Sequence, residues 1–123
     1  MNNYACDAIY VHEDTIKEVQ KQMLKPKLMD KMSRFFKAIS DPTRIKIIYA
    51  LKSHELCVCD ISVILKMSQS AISHQLKILK DEDIVRTRKE GKTRFYRLAD
   101  HHVHVLFDQA IEHISEEHHE ESI

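Results

Sequence analysis

The chain has 123 residues, 43% of them hydrophobic and 31% charged, with a formal net charge of zero. That is the length of one domain and too apolar for a disordered chain. No apolar run approaches the roughly 20 residues that span a bilayer, and the opening M-N-N-Y-A-C-D lacks the basic start and apolar core of a signal peptide. A cytoplasmic protein without membrane segments is therefore expected. One Gly and two Pro favour helices joined by short connections. Three cysteines in a reducing compartment argue for metal or redox chemistry rather than a disulfide framework.

In chain order, residues 1–12 read as a polar arm and 13–123 as one domain. Ile16, Val19 and Met23 are spaced for one face of a helix over 13–24, which Pro26 interrupts. A helix over 30–39 would turn Met32, Phe35, Phe36 and Ile39 inward. Asp41 and Pro42 are good N-cap and first-turn residues for a helix over 42–52. That helix is expected to bury Ile45, Ile48 and Leu51, with Ile47 flanking. A further helix from about Cys59 to Lys66 would bury Ile61, Ile64 and Leu65. Ser68 caps the next, over 69–80, with Ile72, Leu76 and Leu79 inward. Its opposite face carries Ser70, Ser73, His74 and Lys77, with no acid before Asp81.

From residue 84 the pattern alternates, turns at E-G-K-T and resumes. Gly91 stands where a hairpin needs a positive φ, so a two-stranded ribbon with a basic tip is expected. Asp100 then caps a final helix over about 101–117. The fold class is mainly α with a small β-hairpin: helix, turn, polar-faced helix and basic hairpin make a winged helix-turn-helix.

The second helix of such a unit fits the major groove. Gln69 and Gln75 can donate and accept together, best with adenine. Ser68, Ser70, Ser73 and His74 can reach bases or phosphates, and Arg88, Lys89, Lys92 and Arg94 can neutralise phosphates. A lone serine or a basic turn is usually just solvated; together, in this order, they point to double-stranded DNA.

The final helix carries Asp100, His102, His113 and Glu116. His102 and His113 share a side but stand roughly 16 Å apart along the axis, too far for one ion. Two helices packed antiparallel bring Asp100 and His102 of one chain to His113 and Glu116 of another, giving paired tetrahedral sites suited to zinc. Val103, Leu106, Phe107, Ala110 and Ile114 would form the dimer seam. His101 and His104 lie off the stripe and are expected in solvent.

Cys57 and Cys59 diverge by about 200° on an ideal helix and converge only at its beginning. A helix N-terminus also favours the thiolate. Cys6 and His12 of the arm could complete a Cys₃His set with them.

F-F-K-A-I-S-D-P-T-R at 35–44, E-L-C-V-C-D at 55–60, S-Q-S-A-I-S-H-Q-L at 68–76 and the D-x-H … H-x-x-E frame at 100–116 together resemble the ArsR/SmtB family of metal-sensing repressors. The resemblance covers most of the chain. It implies a homodimer that represses its operator when metal-free and releases it on binding metal, freeing genes for export or sequestration. It implies DNA contacts from Gln69, Ser70, Ser73 and His74. It also implies a thiolate site built from E-L-C-V-C-D and the arm, often the other subunit's, and a second site on the last helix. Lead- and cadmium-responsive members commonly carry two arm cysteines. The single Cys6 here favours zinc or cadmium over lead as effector. A thiol-based redox repressor on the same fold is the alternative. No enzymatic constellation is evident.

Overall fold

A computed structural model describes residues 12–116. The chain divides into two compact units, Met1–Met32 and Ser33–Ile123. In the first lies α1 (Glu13–Gln22), with Glu13 and Asp14 in its first turn and no buried residue. Helix α2 (Pro26–Ile39) runs through the boundary. It starts four residues earlier than expected: α1 stops short of Pro26, and Pro26 then opens α2, because a first-turn residue needs no N–H partner.

In the second unit follow α3 (Pro42–Ala50), β1 (Leu56–Cys57), α4 (Val58–Leu65), α5 (Gln69–Asp81), β2 (Val85–Glu90), β3 (Thr93–Leu98) and α6 (His101–Ser115). Asp41 caps α3 by accepting from the Arg44 backbone N–H at 3.1 Å, and Pro42 opens the first turn. The ribbon has three strands, not two. Strand β1 adds to β3 antiparallel, giving the order β1-β3-β2 with Leu56 opposite Tyr96 and Cys57 opposite Phe95. Two residues cannot show an alternating pattern, so this strand leaves no periodic trace. The β2–β3 turn has positive φ at Gly91 but not at Lys92, as in a type II′ hairpin.

The core is built from Ile47, Ile48, Ile61, Ile72, Leu76, Leu79, Ile84 and Val85, with Ala38, Leu51, Leu98, Ala99 and Val103 closing it. Three expectations about inward faces change. In α3 the inward stripe is Arg44, Ile47, Ile48 and Leu51, while Ile45 is exposed. Arg44 joins the stripe because its guanidinium finds acceptors inside, at Ala38 O and Gln75 Oε1. In α4, Ile61 is buried and Leu65 half-buried, but Ile64 is exposed. In α2, Phe35 and Ile39 flank buried Ala38, whereas Met32 and Phe36 are exposed.

Helix α6 divides its apolar residues. Val103 is buried in this protomer's own core, so it is not available to a dimer seam as expected, and Phe107 packs against that core while remaining only half-buried. Leu106, Ala110 and Ile114 are exposed. Among the described residues no helix is long and apolar enough to cross a membrane.

Candidate nucleic-acid interface and ligand half-sites

Helices α4 and α5 are joined by Lys66–Ser68. Lys66 ends α4 in the left-handed conformation (φ 59°, ψ 47°), doing without glycine what a C-terminal cap usually requires of it. Ser68 then caps α5, its hydroxyl accepting from the Ala71 N–H at 3.1 Å. Ile72, Leu76 and Leu79 anchor α5 in the core. Ser70, Ser73, His74 and Lys77 are exposed on the opposite face, and Gln69 is exposed at its start. Lys77 pairs with Asp81 one turn on, at 3.1 Å.

Gln75 sits differently. It is half-buried, and its Oε1 accepts from Arg44 Nη1 at 2.8 Å. A guanidinium only donates, so one lone pair of the amide oxygen is taken, and Gln75 keeps its NH₂ group and the second lone pair for another partner. A bidentate adenine contact would have to share that oxygen with Arg44. On an ideal helix Gln75 also lies about 140° around from Ser70. The structure makes it a tie between α3 and α5.

On the wing, Lys89, Lys92 and Arg94 are exposed, and Arg94 Nη1 donates to Thr87 Oγ1 at 3.1 Å. Arg88 is held three ways. Its Nε donates to Glu55 Oε1 and its Nη1 to Glu90 Oε1, each at 2.7 Å, and its guanidinium lies 4.8 Å from the Phe95 ring centroid. The hydrogen bonds to Glu90 and Glu55 raise its already high pKa.

Cys57 ends β1 and is the N-cap of α4, in extended conformation; Cys59 lies in the first helical turn. The helix thus begins at Val58, between the thiols. Cys57 is half-buried, Cys59 exposed, and both are free thiols. Cys57 and Asp60 form a capping box: the Asp60 carboxylate accepts from the Cys57 N–H at 3.1 Å, and the Cys57 side chain faces the Asp60 N–H. The Cys57 backbone N–H, and next its side chain, hold the Asp60 carboxyl below its ordinary range. His12 precedes α1 as its N-cap and is exposed; Cys6 lies outside the described residues.

Asp100 caps α6, its Oδ1 accepting from the His102 N–H at 2.9 Å and the Val103 N–H at 3.3 Å. His102 Nδ1 stands 3.4 Å from the same oxygen. Desolvation pushes the Asp100 carboxyl up, but the Val103 and His102 backbone N–H groups and the His102 ring outweigh it and lower it. His113 and Glu116 are exposed at the far end of the helix. Among the described residues no three His, Cys, Asp or Glu side chains of one protomer come together as a metal site. Asp100 with His102 is one pair of donors; His113 with Glu116 is another.

His104 is not in solvent as expected. It is half-buried, with Nε2 2.9 Å from Lys52 O and Nδ1 3.2 Å from Asp108 Oδ2. Periodicity along α6 could not show this, because the partner carbonyl belongs to the turn that follows α3.

A core-anchored helix with an exposed polar face, preceded by a short helix and followed by a basic hairpin, defines a winged helix-turn-helix regulator of transcription. Residues 41–87 match the family described as bacterial regulatory protein, arsR family. The chain is 39% identical over 111 residues to a transcriptional repressor SmtB homolog of Synechocystis sp., covering 90% of this chain and 84% of that one. It is 42% identical over 114 residues to a cadmium resistance transcriptional regulatory protein CadC homolog of Staphylococcus aureus, covering 92% and 93%. Among solved structures, the homodimeric winged helix-turn-helix DNA-binding domain of Mb0332 from Mycobacterium bovis superposes with a TM-score of 0.70 at 30% identity, over 77% of this chain and 87% of that one. The chain belongs to the ArsR/SmtB family of transcriptional repressors. Such relatives are DNA-binding regulators, not enzymes.

Proposed function

We propose that this repressor acts in the cytoplasm as a homodimer whose metal-free form holds operator DNA, and that zinc or cadmium, with lead a weaker candidate, lowers that affinity and derepresses metal export or sequestration genes. The observation that carries the DNA reading is α5: its apolar face is sunk in the core while Ser70, Ser73 and His74 stand exposed beside a wing bearing Lys89, Lys92 and Arg94. The names of the SmtB and CadC homologs support the metal reading.

The donor sets fit such ions. Asp100 and His102 offer oxygen and nitrogen at one end of α6, and His113 and Glu116 offer the same at the other, the complement a tetrahedral site needs from a second copy. The contacts described for Asp100 fall on Oδ1, which leaves Oδ2 for a ligand bond. Exposed Leu106, Ala110 and Ile114 supply the apolar surface on which two α6 helices would pack. Cys57 and Cys59 offer thiolates at a helix start, the softer set that suits cadmium, with Cys6 and His12 as the remaining candidate ligands. A bound cation would supply a fixed charge to which both protomers' donors are drawn. By linkage it must bind better to the conformer that holds DNA poorly, and DNA must weaken metal binding in return.

Titrating zinc and cadmium into the complex of wild-type protein with a duplex it has selected from a randomised pool tests this reading. The Cys57/Cys59 and His102/His113 double variants are run beside it. Metal should release wild-type protein, and at least one double variant should bind DNA normally yet resist release. Release by oxidant and not by metal would replace this reading with the thiol redox one.

A further inference from the structure

Arg88 differs from the other cations near the tip of the wing, and, unlike Arg86, whose partner Asp83 stands three residues before it, it draws on an acid from a distant segment. Among the described ion pairs, Lys89, Lys92 and Arg94 have no carboxylate partner, whereas Arg88 has Glu55 and Glu90, each at 2.7 Å. Glu90 belongs to the same strand. Glu55 does not: it comes from the segment entering β1, thirty-three residues earlier in the chain. Its carboxylate crosses to β2 because β1 pairs with β3 and β3 with β2, so that Cys57, Phe95 and Arg88 form one row across the sheet. The guanidinium lies over the Phe95 ring while its N–H groups donate to the two acids.

A guanidinium binds carboxylate and phosphate with the same fork of donors. We propose that Glu55 stands in for a DNA phosphate at Arg88, and so sets how strongly the wing grips the duplex backbone. Arg88 and Glu55 retain 46% and 32% of their side-chain exposure. A pair that open is weakly held and lies within reach of a competing anion. While it is closed, the wing presents one cation fewer than its sequence carries. Glu55 stands two residues before Cys57, so the segment that sets this grip also carries the thiols. The inference rests on the DNA reading above and names an affinity-determining residue that reads no base.

The sign of one substitution separates this role from a structural one. If Glu55 competes with phosphate, Glu55→Gln leaves Arg88 to Glu90 of its own strand and opens its Nε edge to the duplex backbone. Binding of the full-length protein to a duplex selected by wild type from a randomised pool then tightens, by about three- to tenfold near 0.1 M salt. The slope of log affinity against log salt steepens by about 0.9, one further counterion released. Arg88→Gln abolishes that gain in the double variant, because the cation that Glu55→Gln releases is then missing. A Glu55→Gln variant that binds DNA more weakly at unchanged thermal midpoint would make Glu55 a strut of the wing and overturn the proposal. So would an equal gain in the Arg88→Gln background, which is the mark of bulk charge alone. Wild-type affinity that ignores salt would instead sink the DNA reading itself.

Discussion

Asp108 on α6 receives the Lys52 ammonium from the turn after α3, with the His104 ring on its other side. The Lys52 hydrogen bond holds its carboxyl below the ordinary range, and the Arg86 guanidinium does the same for Asp83. Both folded pKa values lie under the unfolded one, about 3.9. The stabilisation they bring is therefore complete above that value and is lost as pH falls through the lower, folded values. Thermal midpoints should be level from pH 7 to about pH 5 and drop below about pH 4. Asp108→Asn should lower the plateau slightly and shallow the acid limb; an acid limb identical to wild type would deny Asp108 any part in it. Residue identity alone showed some of these roles and concealed others. Asp41, Ser68 and Asp100 were legible as caps because a short acceptor before an apolar stripe has few other uses. Arg44 was not. A charged residue in an inward position reads as the polar side of the helix, and only the positions of Ala38 O and Gln75 Oε1 explain why it turns in.

Helix α5 was the most legible element, because its apolar residues recur at i, i+4 and i+7 between a clear cap and the next turn. The face opposite them is where operator specificity is expected to lie. Replacing His74 with Ala should weaken binding to a selected duplex about tenfold, within the range for a lost base-edge contact. It should leave binding to random DNA and the thermal midpoint nearly unchanged. An equal loss on both DNAs, with a shallower salt slope, would reassign His74 to phosphate. Gln75 lies on the same helix and its type suits base reading, yet its amide oxygen is also drawn to Arg44 across the interhelical space. Strand β1 was illegible for a different reason. It exists because β3 offers it a pairing edge, and nothing in Leu56 or Cys57 by itself announces that. The thiols were recognised as a helix-start pair; that one of them also belongs to a sheet was not.

At the scale of the whole molecule, the order of contacts along the chain matters. The β2–β3 hairpin closes through two residues, and α4 meets α5 across a turn of three. Strand β1 is held otherwise: Leu56 must find Tyr96, forty residues further on. Closing a loop of that length costs more entropy than closing a hairpin, and a strand of two residues gives back few ladder bonds. The Leu56–Cys57 segment is thus the part of the sheet most easily opened without melting the rest. Native-state hydrogen exchange should show it: β1 amides exchanging about tenfold or more faster than those of β2, and with a weaker denaturant dependence. Matching rates in the two strands would mean the sheet opens only as a unit. Part of what holds the first thiol in place is therefore a long loop closed by a very short seam. A ligand that pulls on that seam works against a local opening equilibrium and not against the stability of the whole protein.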